Sequence, residues 1–255
     1  MAHEVTTRRV LYGITGMQSI AASEQTFPGA DGQPLPMAIY RPPAPIADPP
    51  PAVVIIEGYP DPGFAKFLGC RFMDMAWSIS MAQLIAASGV AAITYANCQP
   101  SSDAAAVLEY VKAKAGTLGL DGTRLGFYAT SGHAPVALSV LDRARCAVLS
   151  NPFTFDINGA THVADASKMF RFEAPIMNKI AADKPLFVIR SGKDEMPGLN
   201  ASLDHFVTHA LAANHSVRLV NHPDAPHSFD VFHDSDATRR ILREALAFLR
   251  DELQT

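Results

Sequence analysis

The segment Leu125-Gly126-Phe127-Tyr128-Ala129-Thr130-Ser131-Gly132-His133-Ala134-Pro135 carries the strongest chemical signal in the sequence. It reads as a buried strand, a tight turn holding a serine, and the start of a helix. A strained turn of this kind lifts a hydroxyl clear of a sheet, and small neighbours let strand and helix approach closely. Ala129 and Gly132 meet that need. Pro135 suits a first helical turn, where an N–H would have no intrahelical partner, and the positive end of that helix would face a reacting carbonyl. Against the pattern G-x-S-x-G, Ala129 stands for the first glycine and His133 for the last. The alternative is a serine that only caps the helix.

A nucleophilic serine needs a base, and the base needs an orienting partner. Two later loops offer them. Ser191-Gly192-Lys193-Asp194-Glu195 follows a strand candidate ending at Arg190, and Asn221 to Phe229 follows another ending near Val220. Asp194 is the expected acid, ahead of Glu195, whose extra methylene changes its reach. His227 is the expected base, ahead of His222 at the strand end and His233 beside the last helix. Acyl transfer also needs donors aimed at the developing oxyanion. The N–H of Gly132 is one candidate. The second comes from Glu57-Gly58-Tyr59-Pro60: proline has no N–H, and Gly58 frees the backbone to turn the next amide inward, which points to Tyr59.

The elements that must hold these residues alternate along the chain. Leu35 to Tyr40 reads as a strand after the turn at Pro28 to Gly32, an entry hairpin closed by a proline-rich connector, so that residues 1–51 form a hairpin and linker. Ala52 to Ile56 and Val90 to Tyr95 are apolar runs expected of strands covered on both faces, and Phe72 to Ala87 between them has helical spacing. The alternation continues: helix from Ser102, strand Arg124 to Tyr128, helix after Ser131, strand Cys146 to Leu149, strand Pro185 to Arg190, helix Asn200 to Ala212, strand Val217 to Val220 and helix Asp236 to Leu253. Such alternation predicts an α/β fold, with a mostly parallel sheet and helices on both faces. Residues 151–183 form an irregular insertion with Phe153, Phe155, Met169, Phe170, Phe172 and Met177, either a lid over the site or core filling.

The segments Ala129 to Pro135, Gly192-Lys193-Asp194-Glu195 and His227-Ser228-Phe229 together resemble the α/β-hydrolase superfamily, and within it the branch similar to dienelactone hydrolases and small bacterial carboxylesterases. The chain order Ser, Asp, His is the one that architecture uses. The resemblance implies one hydrolase domain over residues 1–255, a sheet of about eight strands, no metal and no cofactor, and hydrolysis of a carboxylic ester. Dienelactone hydrolases use cysteine where this chain has Ser131, which favours esterase over lactonase activity. Lactone, thioester, peptide or carbon–carbon hydrolysis with the same triad, and a catalytically silent binding protein, are the rival readings. Glu57 resembles in position a glutamate that dienelactone hydrolases keep beside their nucleophile, which implies contact with Ser131 in the resting state; the alternative is a carboxylate held by backbone donors. Glu57, Gly58, His133, Phe153 and Phe155 are candidate pocket residues. For His133 two placements stand open, at the pocket mouth or as a neutral ring wedged behind the turn. Phe64 and Phe67 are candidates for the leaving-group side, and Trp77 for the core.

Composition narrows the partners. With 48% hydrophobic and 18% charged residues in 255, the chain has ample material for a core. A net charge of −4, with neither sign gathered into blocks, argues against nucleic acid and membrane surfaces as partners and leaves a small ester-like molecule. Self-association into a homo-oligomer is compatible with it. Cys70, Cys98 and Cys146 are odd in number and far apart, and the polar start has no secretory pattern, so cytoplasmic reduced thiols are expected.

Overall fold

The structure, a computed structural model, describes residues 4–43, 49–154 and 180–254. Its strands are β1 (Ala22–Pro28), β2 (Pro34–Tyr40), β3 (Ala52–Ile55), β4 (Ala91–Tyr95), β5 (Leu125–Thr130), β6 (Cys146–Ser150), β7 (Leu186–Ser191) and β8 (Val217–His222). They form one eight-stranded sheet in the order β1-β2-β4-β3-β5-β6-β7-β8. The hairpin β1–β2 joins antiparallel to β4, and every pair from β4 through β8 is parallel.

The apolar runs are strands because both faces are covered. In β3, Val53 and Ile55 face a core shared with Trp77, Met81, Leu84 and Leu246, while Val54 faces the opposite core with Val107, Leu108, Leu203 and Phe206. Successive side chains of a strand point to opposite faces, so one run feeds both layers. Each large side chain so buried contributes about 1.5–3 kcal/mol. The edge strand β8 is more exposed and is guarded by Arg218, which pairs with Glu244 at 2.8 Å and lies 5.1 Å above the Phe187 ring.

Two local expectations change. The helix expected from Phe72 to Ala87 is a 3-10 turn, Phe72–Asp74, followed by the Ala76–Ala87 helix, with Met75 extended between them. The Asp61 carboxylate accepts the Phe72 N–H at 3.3 Å and the Ser78 hydroxyl donates to the Phe72 carbonyl at 2.5 Å, so tertiary partners satisfy the backbone where the helical ladder would have. A further helix, Asp61–Leu68, starts behind Pro60 and stops at Gly69, whose φ of 89° ends it in the left-handed region. The candidate lid falls mostly on residues 155–179, outside the described ones, and Phe155, Met169, Phe170, Phe172 and Met177 fall with it. No helix among the described residues is long and apolar enough to cross a membrane.

Asp103, 2% exposed, ties hairpin to sheet: its carboxylate accepts the N–H groups of Ala30 at 2.7 Å, Cys98 at 2.8 Å and Gln99 at 2.7 Å. Removing it breaks three hydrogen bonds that hold the hairpin turn and the end of β4 to the following helix. Asp103→Ala should cost about 2–4 kcal/mol in urea unfolding, because hydrogen bonds to a charged acceptor are among the stronger ones.

Candidate active site

Parallel strands bring their carboxyl ends to one rim, where α/β proteins place their ligands. β5 ends at Thr130, and Ser131 then takes φ 50°, a left-handed conformation that costs a serine of the order of 1–3 kcal/mol. A 3-10 turn, Ser131–His133, leads into the short Ala134–Ser139 helix. The serine hydroxyl is therefore aimed by the turn.

The Ser131 Oγ lies 2.8 Å from His227 Nε2, and His227 Nδ1 lies 2.6 Å from Asp194 Oδ2. Asp194's side chain is fully buried, and the imidazole keeps 26% exposure. The second Asp194 oxygen accepts the Met196 N–H at 3.0 Å. The loops after β7 and β8 are laced together, Gly192 N–H donating to the His222 carbonyl and Lys193 N–H to the Ala225 carbonyl, both at 2.8 Å. This lacing sets the distance between acid and base. The rivals sit elsewhere: Glu195 is exposed, and His222 is buried against the Thr238 hydroxyl at 3.2 Å, with the His233 ring beside it.

The loop after β3 packs directly on the serine turn. A Cβ on Gly58 would stand 2.6 Å from the Gly132 carbonyl oxygen and 2.7 Å from His133 Cα, so only glycine fits this approach. Glu57 N–H donates to the Tyr95 hydroxyl at 3.2 Å and Gly58 N–H to His133 Nδ1 at 2.8 Å. Both amides are thus engaged, and the loop is held against the serine turn.

Glu57 does not reach Ser131. It is fully buried, neither carboxyl oxygen has a hydrogen bond of regular geometry, and its polar neighbours are Asp61, Asn97 and the Phe72 backbone. Burial foremost, then the charge of Asp61, raises its pKa well above the ordinary 4.5. Asp61 is better served, accepting the N–H groups of Asn97 at 2.9 Å and Phe72 at 3.3 Å. The proton of the pair therefore belongs on Glu57, as a hydrogen bond donated to Asp61. The expected serine contact does not describe it; Glu57 is held by Asp61, Asn97 and the Phe72 backbone instead.

A cavity of about 150 Å³ opens beside Ser131, walled by Tyr59, Phe64, Phe72, Met75, Trp77 and His133 and closed by Val5, Ser228, Asp230 and Val231 among others. Of the candidate pocket residues, His133 lines it. Glu57 and Gly58 lie behind it in the loop, and Phe153 turns away to pack with Leu199 and Met196. Phe64 is part of the wall, but Phe67 lies on the outer side of its helix, 84% exposed. Trp77 is buried as expected and also borders the cavity, donating its indole N–H to Asp230 Oδ2 at 2.5 Å. Burial raises the pKa of Asp230. The Trp77–Asp230 pair had no signal in the sequence, since its members lie 153 residues apart. Among the described residues, no three His, Cys, Asp or Glu side chains converge to hold a metal ion.

No protein-family model matches the chain, and no curated protein sequence does either. Solved structures do. The esterase LipW from Mycobacterium marinum superposes with a TM-score of 0.72 at 18% identity, over 98% of this chain and 94% of that one. A bacterial heroin esterase gives 0.71 at 18% identity over 94% and 86%. A thermostable esterase from Pseudomonas putida gives 0.70 at 16% identity over 95% and 86%. The chain has the α/β-hydrolase fold.

Two outcomes follow from this packing. A Cβ on Gly192 would lie 2.7 Å from Pro223 Cα, so Gly192→Ala should push the acid and base loops apart, losing about 1–3 kcal/mol in urea unfolding. Glu57 ionises near 4.5 when unfolded but keeps its proton to higher pH when folded. The folded state then binds the extra proton, so this group's contribution to stability is present below the unfolded pKa and is lost as pH rises towards the folded one. Glu57→Gln removes that loss, so its stability relative to wild type should rise as pH increases above about 4.5 in unfolding titrations.

Proposed function

We propose that this chain hydrolyses carboxylic esters through an acyl-enzyme on Ser131. The observation that supports it most is the continuous hydrogen-bonded chain from Ser131 through His227 to buried Asp194, with the serine on a strained turn at the sheet rim. The esterases that share the fold point the same way. In this reading residues 1–255 act as one hydrolase domain, and the free thiols Cys70, Cys98 and Cys146 suit a reducing cytoplasm.

In the proposed reaction His227 Nε2 takes the hydroxyl proton as Ser131 Oγ adds to the ester carbonyl carbon. Asp194 stabilises the imidazolium that forms. The carbonyl oxygen, now an oxyanion, is met by the amides of Gly132 and Tyr59. As the tetrahedral centre collapses, the carbon–oxygen bond to the alcohol breaks and His227 gives the alcohol its proton. Water then loses a proton to His227 and adds to the acyl carbon. Ser131 leaves, recovers the proton and frees the carboxylic acid.

The cavity argues for a small, uncharged substituent on the ester. At about 150 Å³ it matches apolar protein cavities that take up benzene. Its described walls are mostly apolar, with Tyr59, Phe64, Phe72 and Trp77 among them, and include no Lys or Arg to meet an anionic group. Short aliphatic or phenyl-sized esters fit this description.

Treatment with a fluorophosphonate probe should label Ser131 alone, and Ser131→Ala should abolish both labelling and turnover. Asp194→Asn should lower kcat by about 10⁴-fold while the protein stays folded. With p-nitrophenyl esters, kcat/KM for butyrate should exceed that for dodecanoate. Labelling of another residue, or none in folded wild-type protein, would refute the reading.

A further inference from the structure

The residue two places after Ser131 is the least expected feature of the turn. Where the common pattern has glycine, this chain has His133, 4% exposed. Its ring is packed against Phe72, with centroids 4.0 Å apart, and meets Tyr59 at 4.9 Å. A buried polar ring persists only with a partner for its polar atoms. Here Nδ1 lies 2.8 Å from the backbone nitrogen of Gly58.

A backbone N–H can only donate, so Nδ1 must be bare and Nε2 must hold the ring proton. Burial keeps the ring neutral by pulling its pKa down to about 3. Its acceptor is thus present throughout the pH range in which an esterase would be assayed. The bond joins the residue next to Gly132 on the serine turn to the residue next to Tyr59 on the facing loop. Gly58 also touches Gly132 and His133 so closely that a Cβ would not fit, and the two segments cannot slide without breaking both contacts.

We infer that His133 is a positioning residue: by accepting the Gly58 N–H it fixes the peptide planes of the 57–59 loop, so that the adjacent Tyr59 amide is held towards the oxyanion formed on Ser131. The inference rests on the ester-hydrolase reading for its kinetic consequences, but not for the protonation state of the ring. Fixing donors before the reaction matters because their stabilisation then needs no reorganisation at the transition state. Substrate binding should depend on it less than turnover.

Three measurements on the full chain test this. His133→Leu fills similar space without an acceptor, and should lower kcat for p-nitrophenyl acetate by roughly 10- to 100-fold, short of the 10²–10³ seen when an oxyanion donor itself is removed, with little change in KM. His133→Asn offers Oδ1 where Nδ1 stands and should recover most of that loss. Nitrogen-15 NMR of wild-type protein should show His133 as the Nε2–H tautomer, without titration between about pH 5 and pH 9.

A folded His133→Leu with wild-type kcat would overturn the inference, as would a folded His133→Asn as impaired as the leucine variant. If neither variant folds, the NMR result decides: an Nδ1–H tautomer, or titration of the ring in that range, sinks it. Failure of wild-type Ser131 to react with fluorophosphonate would instead strike the ester-hydrolase reading and leave the tautomer assignment standing.

Discussion

The rest of the site depends on one backbone constraint, the left-handed turn at Ser131. A serine there is held against its own preference, and strain of this kind persists only when the surroundings over-determine it. They do so from several sides. The Phe153 N–H donates to the Ser131 carbonyl at 3.1 Å, β5 is locked between β3 and β6, and the 57–61 loop presses on Gly132. Asn151, after β6, and Ser228, beside His227, also have positive φ values, 37° and 54°. Three of the four described non-glycine residues in that region thus line the same rim. Turns with unfavourable backbone angles gather where side chains must leave the ends of strands in set directions.

The second constraint is polar and buried. Behind the loop that follows β3 lie Glu57, Asp61, Asn97 and the Tyr95 hydroxyl, all shielded from water. Two carboxyl groups so placed would be unstable if both were charged, and a shared proton resolves the conflict. The same network holds the loop's backbone, with the Asn97 amide donating to the Tyr59 carbonyl at 3.0 Å and Asp61 N–H to the Asn97 carbonyl at 3.0 Å. Loop and turn therefore meet as two preformed parts, and their joint is the glycine–histidine contact. On the far wall Asp230 is handled by the same logic, with the Trp77 indole as its partner.

The solved esterases reach this architecture with fewer than one residue in five shared. That is understandable physically. A parallel sheet asks only for apolar runs of suitable length and helices with one apolar stripe, and many sequences satisfy both. The chemistry rests on a handful of positions at strand ends, and fold by itself does not fix what a site does. His133, where the common pattern has glycine, and Glu57, turned towards Asp61, are departures at such positions.

Local order alone made much of this legible. β-branched runs such as Ala52 to Ile56 announce covered strands because no other element buries every side chain over so short a length, and Ser131, Asp194 and His227 stand out because they follow such runs. Pairings across long stretches of chain were decided only in three dimensions. That Glu57 meets Asp61, that His133 both lines the pocket and grips Gly58, and that Trp77 serves core and cavity alike all depend on how separate loops converge. The break at Met75 belongs with them, since Asp61 and Ser78 supply hydrogen bonds that no reading of helical spacing could count. Periodicity records which side of an element is apolar; it holds no record of which distant polar atom completes a buried hydrogen bond.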